Sequence, residues 1–201
     1  MKLFPMLPAA ALGVVLVTPA ANAQVGGDSA FPPLPDIDGP VAPDPADEAA
    51  MESLRLLLQA HHALPPREAF EALGVDVEAM LWRVAGHEDE FLLTRQRALI
   101  ALAWYPSDRL RQYYEHLLAN PATHEVTQHQ VLGLLLGTFG DRGLTTAERW
   151  LEHPDMQRRL TAVHALAGMT SLDATALLER ALENEHDALV RERIEAALTL
   201  R

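Results

Sequence analysis

The chain contains no cysteine and a single lysine, Lys2. The first absence excludes disulfides, thiolate metal ligands, a cysteine nucleophile and a lipidated cysteine behind an export signal. The second excludes Schiff-base chemistry and lysine anchoring of phosphate; a genomic preference for arginine codons is its plainest origin. Positive charge is thus carried almost wholly by arginine, with 16 Lys+Arg against 28 Asp+Glu and a formal net charge of -12. So acidic a chain is poorly suited to phosphate backbones or anionic lipid surfaces. After the first fifty residues serine is reduced to Ser53, Ser107 and Ser171, none within a Gly-x-Ser-x-Gly turn, and no glycine-rich phosphate loop occurs. Strand-like alternation is missing throughout. The chain does have 201 residues, 49% of them hydrophobic, enough for one packed domain. Without disulfides that domain rests on packing alone.

The first 46 residues read as something other than fold. Met1-Lys2 gives a short positive start, an apolar stretch runs from Leu3 to Val17, and Ala21-Asn22-Ala23 supplies small residues at a cleavage site. This is the layout of a secretory signal peptide over residues 1–23, cleaved after Ala23. As a membrane anchor the stretch is short and broken by Pro5 and Pro8, whereas a span needs about 20 residues. The expected location is therefore periplasmic or secreted. Residues 24–46 carry six prolines and four aspartates with no basic residue, the composition of an extended linker.

Beyond Ala46 every segment reads as helix. Met51, Leu54, Leu57, Leu58 and His61 mark one helical face, and Pro65-Pro66 opens a short helix closed by Gly74, so residues 47–75 are expected to form an N-terminal helical cap. Residues 76–201 then repeat as helical pairs: 76–85 with 91–104, 107–119 with 124–137, 144–152 with 155–167, and 171–184 with 187–199. Leucines late in the second helices anchor the repeat: Leu102, Leu136, Leu166 and Leu198, at spacings of 34, 30 and 32. Seven residues before each stand Arg95, His129, Arg159 and Arg191; eleven before stand Phe91, Glu125, Asp155 and Asp187. Offsets of zero, three, four and seven share one helical face, which is expected to be buried, with Glu195 as the exception in the last helix. An acid at the helix start caps free N–H groups, and an arginine one turn on can reach it or an acid of the next repeat.

This pattern resembles HEAT repeats, particularly the short HEAT-like kind first noticed in phycobilisome lyases. Residues Asp155 to Leu166 match the second helix of that motif, Asp187 to Leu198 nearly as well, and the earlier copies depart from it at Phe91 and His129. The resemblance implies an all-α, right-handed α-solenoid of about four HEAT-like hairpins with an N-terminal helical cap. It implies almost nothing about activity. A tetratricopeptide array has a similar period, but its signature positions are not found in order.

No constellation carries chemistry. His124 and His129 flank a zinc-protease-like segment, but a spacing of five sets them about 140° apart on a helix. His61-His62 and His87-Glu88-Asp89 read as solvated surface. His164, where other copies hold Ile100, Leu134 and Ala196, reads as a structural histidine or a groove residue. Gly133 and Gly137 read as close packing inside the solenoid. No catalytic residue, metal or cofactor is expected. In arrays of this kind the second helices line the concave side, so Arg97, Gln128, Arg158 and Arg193, with His164, are the candidate contacts to an acidic protein or peptide partner. The plainer reading of the same side chains is a solvated face paired with local carboxylates. Three functions stay open: an exported interaction module, an accessory subunit or lyase-like enzyme of the envelope, and a passive structural protein.

Overall fold

The computed structural model describes residues 45–200, apart from residues 61, 62 and 88. The segment expected to be a signal peptide, with Ala23, the expected linker up to Asp44, the His61-His62 pair and Glu88 lie outside the described residues. Ten α-helices succeed one another, and no strand occurs among the described residues. They are α1 (Pro45–Leu58), α2 (Arg67–Glu71), α3 (Val77–Gly86), α4 (Leu92–Leu102), α5 (Asp108–Ala119), α6 (Glu125–Phe139), α7 (Leu144–Leu151), α8 (Met156–Ala167), α9 (Leu172–Asn184) and α10 (Ala188–Thr199). A 3-10 turn at Gly140–Gly143 joins α6 to α7.

Local sequence explains most of the boundaries. Asp76, Ser107, Asp155, Ser171 and Asp187 each accept an amide hydrogen bond from the first turn of the helix they precede, satisfying donors that a helix start leaves free. Pro45 opens α1, where a missing N–H costs nothing, so this helix begins two residues inside the stretch expected to be linker.

Consecutive helices pair as hairpins: α3 with α4, α5 with α6, α7 with α8, and α9 with α10. The hairpins stack chiefly through their second helices, α4 on α6, α6 on α8 and α8 on α10, and α7 packs on α9. This is an α-solenoid. α1 packs on α4, in line with the second-helix row. One continuous core results. Leu102, Leu136 and Leu166 are buried within it, and Leu198, in the final helix, is partly buried. Between hairpins the core is closed by edge-on aromatic pairs, Trp82 with Tyr113 at 5.3 Å between centroids and Phe70 with Trp104 at 5.3 Å. Tyr114, fully buried, donates its hydroxyl to Leu99 O across 2.6 Å.

Two expectations are corrected. His164 is exposed rather than a satisfied core histidine. Gly133 and Gly137 are also exposed, and a Cβ at either would meet nothing within 4 Å. The reason is helical phase: α6 buries Val131, Leu132, Leu135 and Leu136, and the two glycines fall on the opposite side. Gly140 is different, with φ 57° and ψ -133°, a backbone shape close to glycine-only territory.

Alanine scanning of these glycines therefore splits by sign. Gly137→Ala is expected to raise stability by about 0.5–1 kcal/mol, because helix propensity improves without a clash. Gly140→Ala is expected to lower it by about 1–3 kcal/mol. Urea unfolding followed by circular dichroism measures both.

Candidate functional site

Each first helix ends with carbonyls that its own helix cannot satisfy. A side chain from the second helix of the same hairpin meets these carbonyls or those of the turn just beyond. Arg95 Nε donates to Ala85 O at 3.3 Å, Arg159 Nη1 to His153 O and Pro154 O at 3.0 Å each, and Arg191 Nη1 to Leu182 O at 2.8 Å and Glu185 O at 3.0 Å. In the second hairpin the same task falls to Gln128, whose Nε2 donates to Asn120 O at 2.9 Å.

That assignment corrects the repeat register by one residue in α6. Counting from Leu136 put Glu125 at the cap and His129 at the arginine position. The structure puts His124 at the cap, its Nδ1 accepting the Val126 amide at 3.2 Å, and Gln128 at the arginine position. Leu135 is then the equivalent of Leu102 and Leu166. Glu125 sits one step into the helix, 3.5 Å from His129 Nε2. Phe91, at the corresponding position in α4, gives no cap and is 76% exposed.

The five candidate partner-binding residues separate accordingly. Gln128 is 1% exposed and wholly structural. Arg97 donates to Leu58 O at 2.9 Å and also to Ala60 O, closing the C-terminal end of α1. Arg158 Nη2 donates to Gln128 Oε1 at 3.0 Å and its guanidinium stacks 5.3 Å from the Trp150 ring, tying the third hairpin to the second. Arg193 and His164 alone remain exposed. They line one cavity of about 540 Å³ between α6, α8 and α10, with Gly133, Thr161 and Leu200 also on its walls. Its volume falls in the range of ligand pockets, about 300–1,000 Å³.

A second cavity of about 480 Å³ lies at the loops of the third and fourth hairpins. Sequence spacing allowed the Arg159 row an acid of the next repeat but did not single out Glu185, with which Arg159 pairs at 2.8 Å, the acid only 8% exposed. Burial alone would raise the Glu185 carboxyl. The Arg159 hydrogen bond, the amides of Asp187 and His186 and the Arg159 charge outweigh it and hold the group below the usual carboxylate range. Asp155 is likewise held low, chiefly by the Arg158 amide and then by that of Gln157. The pair is an inter-repeat clamp, with every polar atom engaged locally, rather than an acid–base couple. Among the described residues no group of three or more histidines and carboxylates is gathered as metal ligands would be. No helix among them is long and apolar enough to cross a membrane.

A family model described as HEAT repeats matches residues 123–199, from the loop before α6 to the end of α10. No curated protein and no solved structure gives a match.

Two measurements test the clamp and the helix-end bonds. Gln128→Ala leaves the Asn120 carbonyl and the Arg158 guanidinium without their partner and is expected to cost about 1–3 kcal/mol in urea unfolding. Glu185 and Asp155 have depressed folded-state pKa values. Their stabilisation is complete above the unfolded carboxylate value, about 3.9–4.3, and is lost as pH falls through the folded value. Glu185→Gln is therefore expected to melt lower than wild type at pH 7 and to lose less on further acidification. Thermal melts between pH 7 and 3 with parallel slopes would refute the clamp.

Proposed function

We propose that this chain, whose residues 123–199 match HEAT repeats, is an exported interaction module that holds a protein or peptide partner against its row of second helices. Repeats of this kind generally mediate protein–protein contacts. The observation that carries the reading here is the open groove between α6, α8 and α10, the site where two exposed polar side chains of the expected row, His164 and Arg193, share one cavity. Export is inferred from the signal-peptide layout at residues 1–23, and the acidic, proline-rich segment behind it would act as a spacer.

A photo-crosslinking residue in place of Thr161, on the groove wall, tests the binding face. Envelope extract is expected to give a discrete adduct that disappears when Gly133→Trp plugs the groove. The same probe at Glu179, exposed on α9 of the first-helix row, is expected to give none. Adducts of equal strength from both positions would overturn the assignment. Export has its own test: the mature chain recovered from the envelope fraction is expected to begin at Gln24.

A further inference from the structure

The arginines of this protein are mostly consumed. Several pair with carboxylates one helical turn away, Arg67 with Glu71 at 2.6 Å and Arg111 with Glu115 at 2.7 Å, and others, such as Arg159 and Arg191, close helix ends. Arg193 does neither. Its neighbours one turn away on α10 are Leu189, Val190, Ala196 and Ala197, with no acid among them. Across the groove α8 presents Gln157, Thr161 and His164, again without an acid. His129 on the α6 wall is the remaining ionisable lining group, and Glu125, outside the lining, stands 3.5 Å from it. Among the described residues Arg193 has no ion-pair partner.

The contrast with the whole chain gives this meaning. The protein carries 28 acidic residues, yet none of those among the described residues lines this groove, whose ionisable groups there are one arginine and two histidines. The cavity at the loops of the third and fourth hairpins is lined by four acids. The groove floor is apolar, with Leu160, Val163 and Ala197, and its walls are kept low by Gly133 and Ala196. An isolated cation beside an apolar trough in an acidic protein matches a segment that carries a carboxylate next to an apolar side chain.

We propose that the groove between α6, α8 and α10 binds an extended acidic peptide, its carboxylate paired with Arg193 and an adjacent apolar side chain lying over Leu160 and Val163. The proposal rests on the reading of the second-helix row as the binding face. Thr161 and Gln157 offer further hydrogen-bonding groups along the same wall. The charge pattern also excludes basic segments: a lysine side chain in the groove would meet Arg193 with no acid to offset it.

The experiment uses the full mature chain and a fluorescein-labelled peptide of alternating leucine and glutamate, blocked at both ends. Counterparts carry glutamine or lysine in place of glutamate. Fluorescence polarisation is expected to show the glutamate peptide binding about ten-fold more tightly than the glutamine one, the worth of one charge-assisted hydrogen bond. The lysine peptide is expected not to bind. Arg193→Glu should abolish binding and Arg193→Lys should largely retain it. Gly133→Trp should block binding without lowering the melting temperature, since a Cβ at this position meets nothing within 4 Å. Equal affinity for the three peptides, tighter binding of the lysine peptide, or binding indifferent to Arg193→Glu and Gly133→Trp overturns the proposal. If no peptide binds while the Thr161 crosslink still captures a groove-dependent partner, the acidic chemistry is wrong and the binding face stands. Loss of both removes both.

Discussion

The structure depends on one recurring hydrogen bond: a side chain on each second helix donating to the open carbonyl end of the helix before it or to the turn that follows. A helix of eight to thirteen residues turning back on itself leaves its last carbonyls mostly part-buried at the hairpin bend, where water has limited access. Leaving them unpaired would cost about 1–3 kcal/mol apiece. Arginine suits the task because its several donors reach two carbonyls at once, as Arg159 does with His153 and Pro154 and Arg191 with Leu182 and Glu185. The bond fixes the angle and stagger of each hairpin. It thereby fixes which residues of the second helices can face the next repeat.

The same bonds couple neighbours. Arg159, while closing its own hairpin, also holds Glu185 in the loop of the next. Gln128 both donates to Asn120 and accepts from Arg158 of the succeeding repeat. On the other side, Gln96 donates to Thr127 at 2.9 Å and Gln130 to the Gln96 carbonyl at 3.2 Å. In a solenoid each repeat touches only its neighbours, so such links carry the cooperativity of the whole. They also explain why a chain with so many arginines offers few for recognition.

Fold class and hairpin boundaries were legible in the sequence because caps, breakers and apolar spacing agreed at nearly every repeat. Asp155, Asp187, Ser107 and Ser171 stand where a helix start needs them. The phase of α6 was not legible. Val131, Leu132, Leu134, Leu135 and Leu136 form a nearly continuous apolar run, so a stripe drawn through Leu136 and one drawn through Leu135 fit almost equally well. Glutamine in place of arginine removed the one polar marker that would have fixed the phase. That single-residue ambiguity sent Gln128 to the surface and Gly133 to the interior, the reverse of their true places. For the Arg159–Glu185 clamp a reach to the next repeat was legible but its partner was not, because the two residues are 26 apart and meet only through stacking.

The groove itself is a consequence of the corrected register. Five positions before the anchor stand Arg97, Gln130, Thr161 and Arg193. The first two reach back to the preceding second-row helix, Arg97 to the carbonyl end of α1 and Gln130 to the Gln96 carbonyl of α4. Thr161 is too short to cross and bonds Gln157 O of its own helix at 2.9 Å. Arg193 is long enough, but α8 turns toward it no free carbonyl end and no acid. Two positions before the anchor the series is Ile100, Gly133, His164 and Ala196, so bulk is lost on both sides of His164. The bridging side chain fails and the filling side chain shrinks over the same two interfaces. A gap with a polar rim is what that combination leaves, and it is placed where the repeats would otherwise be tied together.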